Sequence, residues 1–283
     1  MAIDNPPLKP GLYVTATPIG NLGDITFRAI ETMKAADAIL CEDTRVTATL
    51  CKAYNISTQR RPYQDHNAAQ VRPAIIEQLV GGAAICLVSD AGTPLISDPG
   101  YKLVREAREA GVEVFPLPGP CAAIAALCAA GAPSDKFLFA GFPASKSTAR
   151  KRGFEGLKDI PATLIFYESG HRLGQTLGDM QDVFGDRQAC VAREITKLYE
   201  EFTAESLSAL ASQYAQKKPK GEIVILVWPP EITDVAPEDI DAFLAEALKT
   251  LRTADAADAA AESLGVKRRD AYARALALKP TQQ

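Results

Sequence analysis

The stretch from Leu87 to Gly100, LVSDAGTPLISDPG, packs polar chemistry into a short space. Between Ser89 and Pro99 it holds two carboxylates, two serine hydroxyls, a threonine and two prolines, with no bulky side chain before Leu95. It follows an apolar run, Ala83 to Val88, that reads as a buried strand. Two further stretches of this kind follow apolar runs: Thr17-Pro18-Ile19-Gly20-Asn21-Leu22-Gly23-Asp24 and Pro116-Leu117-Pro118-Gly119-Pro120-Cys121-Ala122. Glycine lets a backbone approach closely and proline stiffens it, so three such loops on one sheet edge suit a small molecule gripped by main-chain groups. None of the three carries Lys or Arg. That points away from phosphates and toward a ligand with a cationic centre and an uncharged ring, accepted by carbonyls and Asp90.

Several familiar chemistries are missing. The chain has no GxGxxG, no GxxxxGK[ST] and no GxSxG, so dinucleotide, phosphate-loop and nucleophile-elbow sites are not signalled. Six cysteines form no CxxC pair and mostly lie in apolar runs, as expected of reduced core thiols. With two histidines far apart, His66 and His171, no zinc site is expected, and no metal is assigned. The N-terminus lacks a basic start followed by an apolar core, and no apolar run is long enough to span a membrane, so a cytoplasmic protein is expected. The net charge of -4 hides an uneven distribution: Glu231 to Glu262 holds nine acids and two bases, leaving the rest of the chain at +3. Basic clusters stand at Lys146, Arg150, Lys151, Arg152 and Lys158, and at Lys267, Arg268, Arg269, Arg274 and Lys279. A polyanionic partner is compatible with these, as is a solvated helix face.

The elements that must position the loops alternate between strand and helix. Strands are expected at Leu12–Thr17, Ala38–Cys41, Ala83–Val88 and Val112–Phe115, with helices at Ile25–Ala35, Arg45–Ala53, Ala68–Val80, Gly100–Ala110 and Cys121–Ala130. Near-continuous apolar strands between helices predict a mostly parallel sheet covered on both faces, with ligands bound beyond the strands' carboxyl ends. Gly131 to Asp135 marks a boundary, after which a second α/β unit is expected. Its strands are at Phe137–Ala140, Ala162–Tyr167, Gln188–Ala192, near Glu200–Thr203 and at Glu222–Trp228. Pro229-Pro230 closes it. An acidic helical stretch follows, then a break at Leu264-Gly265-Val266 and a basic helix from Lys267. The domains are therefore placed at 11–132, 133–230 and 231–283.

Several long motifs in this order carry a resemblance: YVTATPIGNLGDITFRAIETM, CEDTRVT, LVSDAGTPLISDPGYKLV, PLPGPCAAIAAL, FYESGHRL and VAREITKLYEEF. Over about residues 10 to 228 the chain resembles the tetrapyrrole-methylase-like superfamily of S-adenosylmethionine-dependent methyltransferases, and within it the branch that methylates the 2'-O ribose of a cytidine in the decoding region of 16S rRNA. The tail resembles that branch's C-terminal helical extension. The resemblance implies two α/β domains of the class III methyltransferase fold, a homodimer, no membrane association, and S-adenosylmethionine folded into the cleft between the domains. Carried over, the cofactor contacts are Pro18, Ser89, Asp90, Ala91, Gly92, Thr93, Ile96, Ser97, Cys121 and Ala122, joined by Phe142, Tyr167 and Ala192. The family commonly reads YESPHR where this chain has Gly170.

Transfer of a methyl group from a sulfonium to a ribose hydroxyl needs alignment and removal of a proton of high pKa. The candidates are polar residues of the recognised motifs. Asp43, His66, Glu168, Arg193 and Lys197 are the catalytic set, with His66 or a desolvated Lys197 as base. Arg45, Arg172 and Arg193 suit phosphate contacts. Lys267, Arg268 and Arg269 follow a helix and a Gly-containing turn, a helix-turn-helix-like pattern that suits rRNA phosphates or a helical hairpin equally. Asp43 and Glu168 are also ordinary helix-capping types. A tetrapyrrole C-methyltransferase and a non-catalytic cofactor- or ribosome-binding protein are the competing readings.

Overall fold

The computed structural model describes residues 8–98, 100–230 and 237–278, with the Asp65 side chain left aside. The described residues up to 230 form one compact unit and those from 237 onward another. The first unit opens with strictly alternating elements: β1 (Gly11–Thr15), α1 (Phe27–Ala35), β2 (Ala38–Cys41), α2 (Thr44–Ala53), β3 (Arg60–Pro62), α3 (Asp65–Val80), β4 (Ala84–Leu87), α4 (Tyr101–Glu109), β5 (Val114–Leu117) and α5 (Ala122–Ala129). The strands form an all-parallel sheet in the order β3-β2-β4-β1-β5.

Alternation along the central strands sends side chains to two cores. Tyr13, Ile39, Cys41 and Cys86 pack with Ile30, Met33, Leu50 and Cys51 of α1 and α2. Leu12, Leu40, Ile85 and Leu87 pack with Ile75, Leu79, Leu103 and Ala107 of α3 and α4. Both faces are thus covered, which accounts for the unbroken apolar runs. Two details differ from the sequence reading. The edge strand β3, Arg-Arg-Pro, has no apolar pattern to announce it. At the other edge β5 runs two residues further than expected and contains Pro116, tolerated where one side of the strand has no partner.

The second sheet collects β6 (Phe137–Gly141), β7 (Thr163–Ser169), β8 (Gln188–Arg193), β9 (Glu201–Ser206) and β10 (Glu222–Val227), with α6 (Ser147–Glu155), α7 (Leu173–Phe184) and α8 (Leu207–Tyr214). Its order is β6-β7-β10-β8-β9, and only β6 and β7 are parallel; the remaining three pairings are antiparallel. The mostly parallel expectation, drawn from the first unit's alternation, holds for the first sheet and does not extend to this one. Buried apolar strands look alike whichever way they run, and the antiparallel arrangement lets β8 return through β9 by a short connection without a helix.

One face of this sheet buries Leu164, Phe166, Val191 and Ile225 against Phe154, Leu177, Met180 and Leu210 of α6, α7 and α8. The other face, with Ile165, Cys190, Ala192, Val224 and Leu226, packs on Ala123, Ala126 and Leu127 of α5 and on Ile19. The small side chains of α5 allow that close approach. This contact brings the loop edge of the first sheet against the second, and the candidate site lies there.

The second unit is a helical hairpin with a third helix: α9 (Pro237–Ala247), α10 (Thr253–Leu264) and α11 (Arg268–Ala277), closed over Leu244, Ala256, Ala257, Ala260, Ala271 and Ala275. Gly265, with φ 67°, ends α10 in the left-handed conformation that glycine adopts without steric cost. Among the described residues no helix is long and apolar enough to cross a membrane.

Candidate active site

The loops after β1, β4 and β5 are bonded to one another. Thr17 and Gly92 exchange backbone hydrogen bonds of 2.9 and 3.1 Å. The Thr17 hydroxyl donates to the Ser89 carbonyl at 3.2 Å, and the Ser89 hydroxyl lies 3.1 Å from the Gly92 carbonyl. The Thr93 hydroxyl donates to the Pro120 carbonyl at 3.0 Å. The β4–α4 loop bends sharply to do this: Gly92, Leu95, Ser97 and Gly100 have φ of 79°, 73°, 65° and 133°. For Leu95 and Ser97, which carry a Cβ, that costs on the order of 1 kcal/mol each and persists only because the surroundings dictate it.

These loops and strands β7 and β10 enclose a cavity of about 360 Å³. Of the thirteen residues assigned to the cofactor by resemblance, ten line it: Asp90, Ala91, Gly92, Thr93, Ile96, Ser97, Cys121, Ala122, Phe142 and Tyr167. Pro18 only precedes the lining residue Ile19. Ser89 is buried beneath the loop and shapes it through its hydroxyl. Ala192 is fully buried in β8, paired with the lining residue Val224. The Tyr167 hydroxyl accepts from the Ala123 N–H at 3.2 Å, and its ring meets Phe142 edge-on at 5.6 Å.

Among the described residues the lining holds four acids, Asp90, Asp98, Glu168 and Glu222, and no Lys, Arg or His. Burial, with the nearby charge of Glu42, pushes the Asp98 carboxyl up to about 6 against the hydrogen bond from Ser89. Burial also raises Tyr167 well above the ordinary tyrosine value, so its phenol stays neutral. Asp98, Glu222, Gly221, Ser169 and Ile195 escaped the sequence reading. Asp98 lay inside the quoted loop but beside a proline that made it look like turn chemistry, and Glu222 opens an ordinary core strand.

The catalytic candidates scatter. Glu168 lines the cavity and is buried, yet its oxygens already accept from the Ser169 N–H at 2.8 Å, Arg172 at 3.1 Å and the Thr176 hydroxyl at 2.6 Å. Arg172 also donates to the Pro143 carbonyl at 2.6 Å, so it braces the β6–α6 loop instead of standing free for phosphate. Arg193 pairs with Glu201 at 3.2 Å and reaches the Lys220 carbonyl at 3.3 Å. Lys197 is not the desolvated base expected. Burial works against its charge, but hydrogen bonds to Glu194 at 2.8 Å and Glu222 at 3.1 Å outweigh it and hold its pKa above the ordinary value. Its stem lies over Gly20, where a Cβ would collide with it.

His66 is exposed in the first turn of α3, which begins at Asp65 instead of Ala68, and it does not line the cavity. Asp43 caps α2 by accepting from the Arg45 N–H at 2.8 Å, and Arg45 also pairs with it at 2.6 Å. Those bonds hold Asp43 at about 2. Of the basic cluster before residue 158, Arg150 is buried on Asp179 at 2.6 Å, a structural pair and no part of a basic surface. In the tail Arg268 is bound to Asp258, Arg274 to Asp241, and the highly exposed Arg269 stands 3.7 Å from Asp270, while Lys267 precedes α11 as its N-cap; Lys279 lies outside the described residues. Among the described residues no group of three or more His, Cys, Asp or Glu is placed to hold a metal ion.

Two sheets meeting over a loop-lined cavity define the class. Residues 11–211 match the family model "Tetrapyrrole (Corrin/Porphyrin) Methylases". Among solved structures, cobalt precorrin-4 methyltransferase has this fold, with a TM-score of 0.57 at 15% identity over 77% of this chain and 94% of that one. Within the class, residues 234–279 match the model "RsmI C-terminal HTH domain". Ribosomal RNA small subunit methyltransferase I of Mesorhizobium japonicum is 49% identical over 97% of this chain and 94% of its own length. Its counterpart in Erythrobacter litoralis is 50% identical over 96% and 97%. The chain belongs to the ribosomal RNA small subunit methyltransferase I family.

Proposed function

We propose that this protein uses S-adenosylmethionine to methylate small-subunit rRNA, and that the acceptor is the 2'-hydroxyl of a cytidine in the decoding region of 16S rRNA, presented within the small ribosomal subunit. The family names support the rRNA acceptor. The observation that carries the donor is the cavity's charge: among the described residues its lining holds no basic side chain and four carboxylates, Asp90 and Asp98 without a cationic partner, Glu168 and Glu222 paired with Arg172 and Lys197. A polyphosphate would be repelled there, whereas a cofactor with a sulfonium and an ammonium group is attracted. The volume of about 360 Å³ falls in the range of small-molecule sites. The same reading places the working form in the cytoplasm as a homodimer, with residues 11–132 and 133–230 as the halves of the cofactor cleft and 231–283 as an rRNA-contacting extension.

The bound cofactor would supply a methyl group activated by positive sulfur. The protein's contribution is placement. Asp90, Asp98 and Glu222 set a negative wall, while Ala91, Gly92, Thr93 and Ala122 offer the backbone groups of loops already bonded together. Phe142 and Tyr167 provide aromatic surface for an uncharged ring. Loops fixed in advance spare the entropy of ordering at the moment of reaction, an effect that reaches roughly 7 to 11 kcal/mol in favourable cases. Glu168, with its oxygens occupied, holds the β7–α7 turn through Arg172 and Thr176 and leaves proton removal to another group.

A tetrapyrrole acceptor carrying carboxylate side chains would face the same negative wall, which disfavours that rival. Purified protein incubated with methyl-labelled cofactor and either unmodified small subunits or a precorrin separates the readings. Label in 16S rRNA alone supports ours; label in the precorrin alone, or binding without transfer to either, refutes it.

A further inference from the structure

The loop between α8 and β10, residues 215–221, places Lys217, Lys218 and Lys220 within four positions, all exposed. No hydrogen bond or ion pair engages their ammonium groups among the described residues. Other cations around the cavity are committed: Arg172 to Glu168, Arg193 to Glu201, and Lys197 to Glu194 and Glu222. This loop therefore carries three uncommitted positive charges next to lining residues of the cavity.

The loop is held at the cavity mouth. Its last residue, Gly221, and the next, Glu222, line the cavity. Arg193 bonds the Lys220 carbonyl, and the Pro219 carbonyl abuts Gly170, next to the lining residue Ser169. The neighbouring turn between β8 and β9 is tied to the same place through Lys197 and Glu222, and it exposes Leu198 and Tyr199, 88% and 66% accessible. That turn holds Glu194 and Thr196 at φ of 50° and 67°, a strained backbone for residues bearing a Cβ.

We propose that Lys217, Lys218 and Lys220 form the docking strip for the phosphate backbone of the RNA acceptor, with Tyr199 as the stacking face for an unpaired base beside it. The inference rests on the reading of rRNA as acceptor and names where the strand is gripped. The acid-lined cavity repels phosphates, so a strand delivering one ribose to it must be held from outside. Lysines on flexible stems neutralise backbone phosphates without reading sequence, and an exposed aromatic ring stacks any unpaired base. The arrangement thus divides the work: negative inside for the donor, positive at the rim for the acceptor.

The test measures binding of a fluorescein-labelled decoding-region fragment of 16S rRNA by anisotropy across a salt series. Lys217→Gln/Lys218→Gln/Lys220→Gln should weaken binding and lower the slope of log Kd against log salt by about 2, at roughly 0.7 per single-strand phosphate contact. Its calorimetric Kd for S-adenosylmethionine should stay within about twofold, since no ammonium lines the cavity. Tyr199→Ala should lose about tenfold in fragment affinity, and Tyr199→Phe should restore it. An unchanged slope in the triple variant overturns the strip, and a weak Tyr199→Phe overturns the stacking face. If only binding to whole subunits is impaired, with the fragment unaffected, the lysines meet a ribosomal protein and the proposal fails. Wild-type protein that binds the fragment salt-dependently yet transfers no methyl to rRNA would refute the methyl-transfer reading and leave the strip standing.

Discussion

The backbone N–H of Asp43 donates to Oδ1 of Asp90 at 2.9 Å, so the capping turn after β2 and the cavity loop after β4 share one carboxylate. Asp90 therefore acts twice, as a strut between two strand ends and as negative charge on the cavity wall. Asp90→Asn keeps an oxygen for Asp43 but removes the charge, while Asp90→Ala removes both. We expect Asp90→Asn to unfold within about 0.5 kcal/mol of wild type and Asp90→Ala to lose about 1–2 kcal/mol. Both should bind S-adenosylmethionine about tenfold or more weakly by calorimetry. Unchanged affinity in both variants would remove Asp90 from the cofactor site.

Asp98 predicts a pH dependence. Its carboxyl, at about 6, lines the cavity and faces Ser89 on its own loop, Glu42 after β2, Asp90, and Glu168 and Glu222 across the cavity. A raised carboxyl is neutral below that value and charged above it, so attraction for a cationic ligand grows as pH rises through 6. Affinity for S-adenosylmethionine should weaken about tenfold from pH 7 to pH 5, and Asp98→Asn should flatten the profile at the weak end. A wild-type profile flat across that range contradicts the assignment.

Lys197 and Glu194 form a pair whose contribution has a definite window. The Lys197 hydrogen bond lowers Glu194 below 4.5, so that stabilisation is present above 4.5 and lost as pH falls through the lowered value. Lys197 is raised above 10.5, so its share is present below 10.5 and lost as pH climbs through the raised value. Lys197→Met should cost about 1–3 kcal/mol in urea denaturation between about pH 5 and 10, with the difference from wild type shrinking outside that window. A constant difference at every pH would mean that packing of the stem over Gly20 matters and the charge does not.

Gly170 sits where the turn after β7 meets the loop before β10. A Cβ at this position would collide with the Pro219 carbonyl, so the turn after β7 approaches the lysine loop as only glycine permits. Gly170→Ala should destabilise the protein by about 1–3 kcal/mol. It should also raise the KM for small subunits more than it changes affinity for the cofactor, because the displaced segment carries the lysines. Wild-type stability and KM in this variant would show that the lysine loop yields without consequence.

How far these features were legible in the sequence depended on what made them. Apolar runs revealed β1, β2 and β4 to within two residues because strands buried on both faces have no polar alternation to confuse them. The edge strand Arg60–Pro62 has no such run, and strand direction in the second sheet has no side-chain signature at all. The cavity loops were legible because Gly and Pro at strand ends are a backbone requirement. Glu222, Ile223 and Val224 were not: a core strand passing under a cavity looks like any other core strand. The partners of the catalytic candidates were the least legible. Asp43, Glu168 and Arg193 are polar residues whose partners (Arg45, Arg172 and Glu201) could be matched only once the chain was folded.

On the proposed function, the acid-lined cavity holds a methyl donor for a ribose hydroxyl on rRNA. The most direct measurement is nuclease digestion and mass spectrometry of 16S rRNA from small subunits lacking the modification, after incubation with the protein and a methyl-labelled donor. We expect one added methyl, recovered as 2'-O-methylcytidine from the decoding region. A methyl recovered on a base, or no label in rRNA under conditions where calorimetry shows the donor bound, would contradict it.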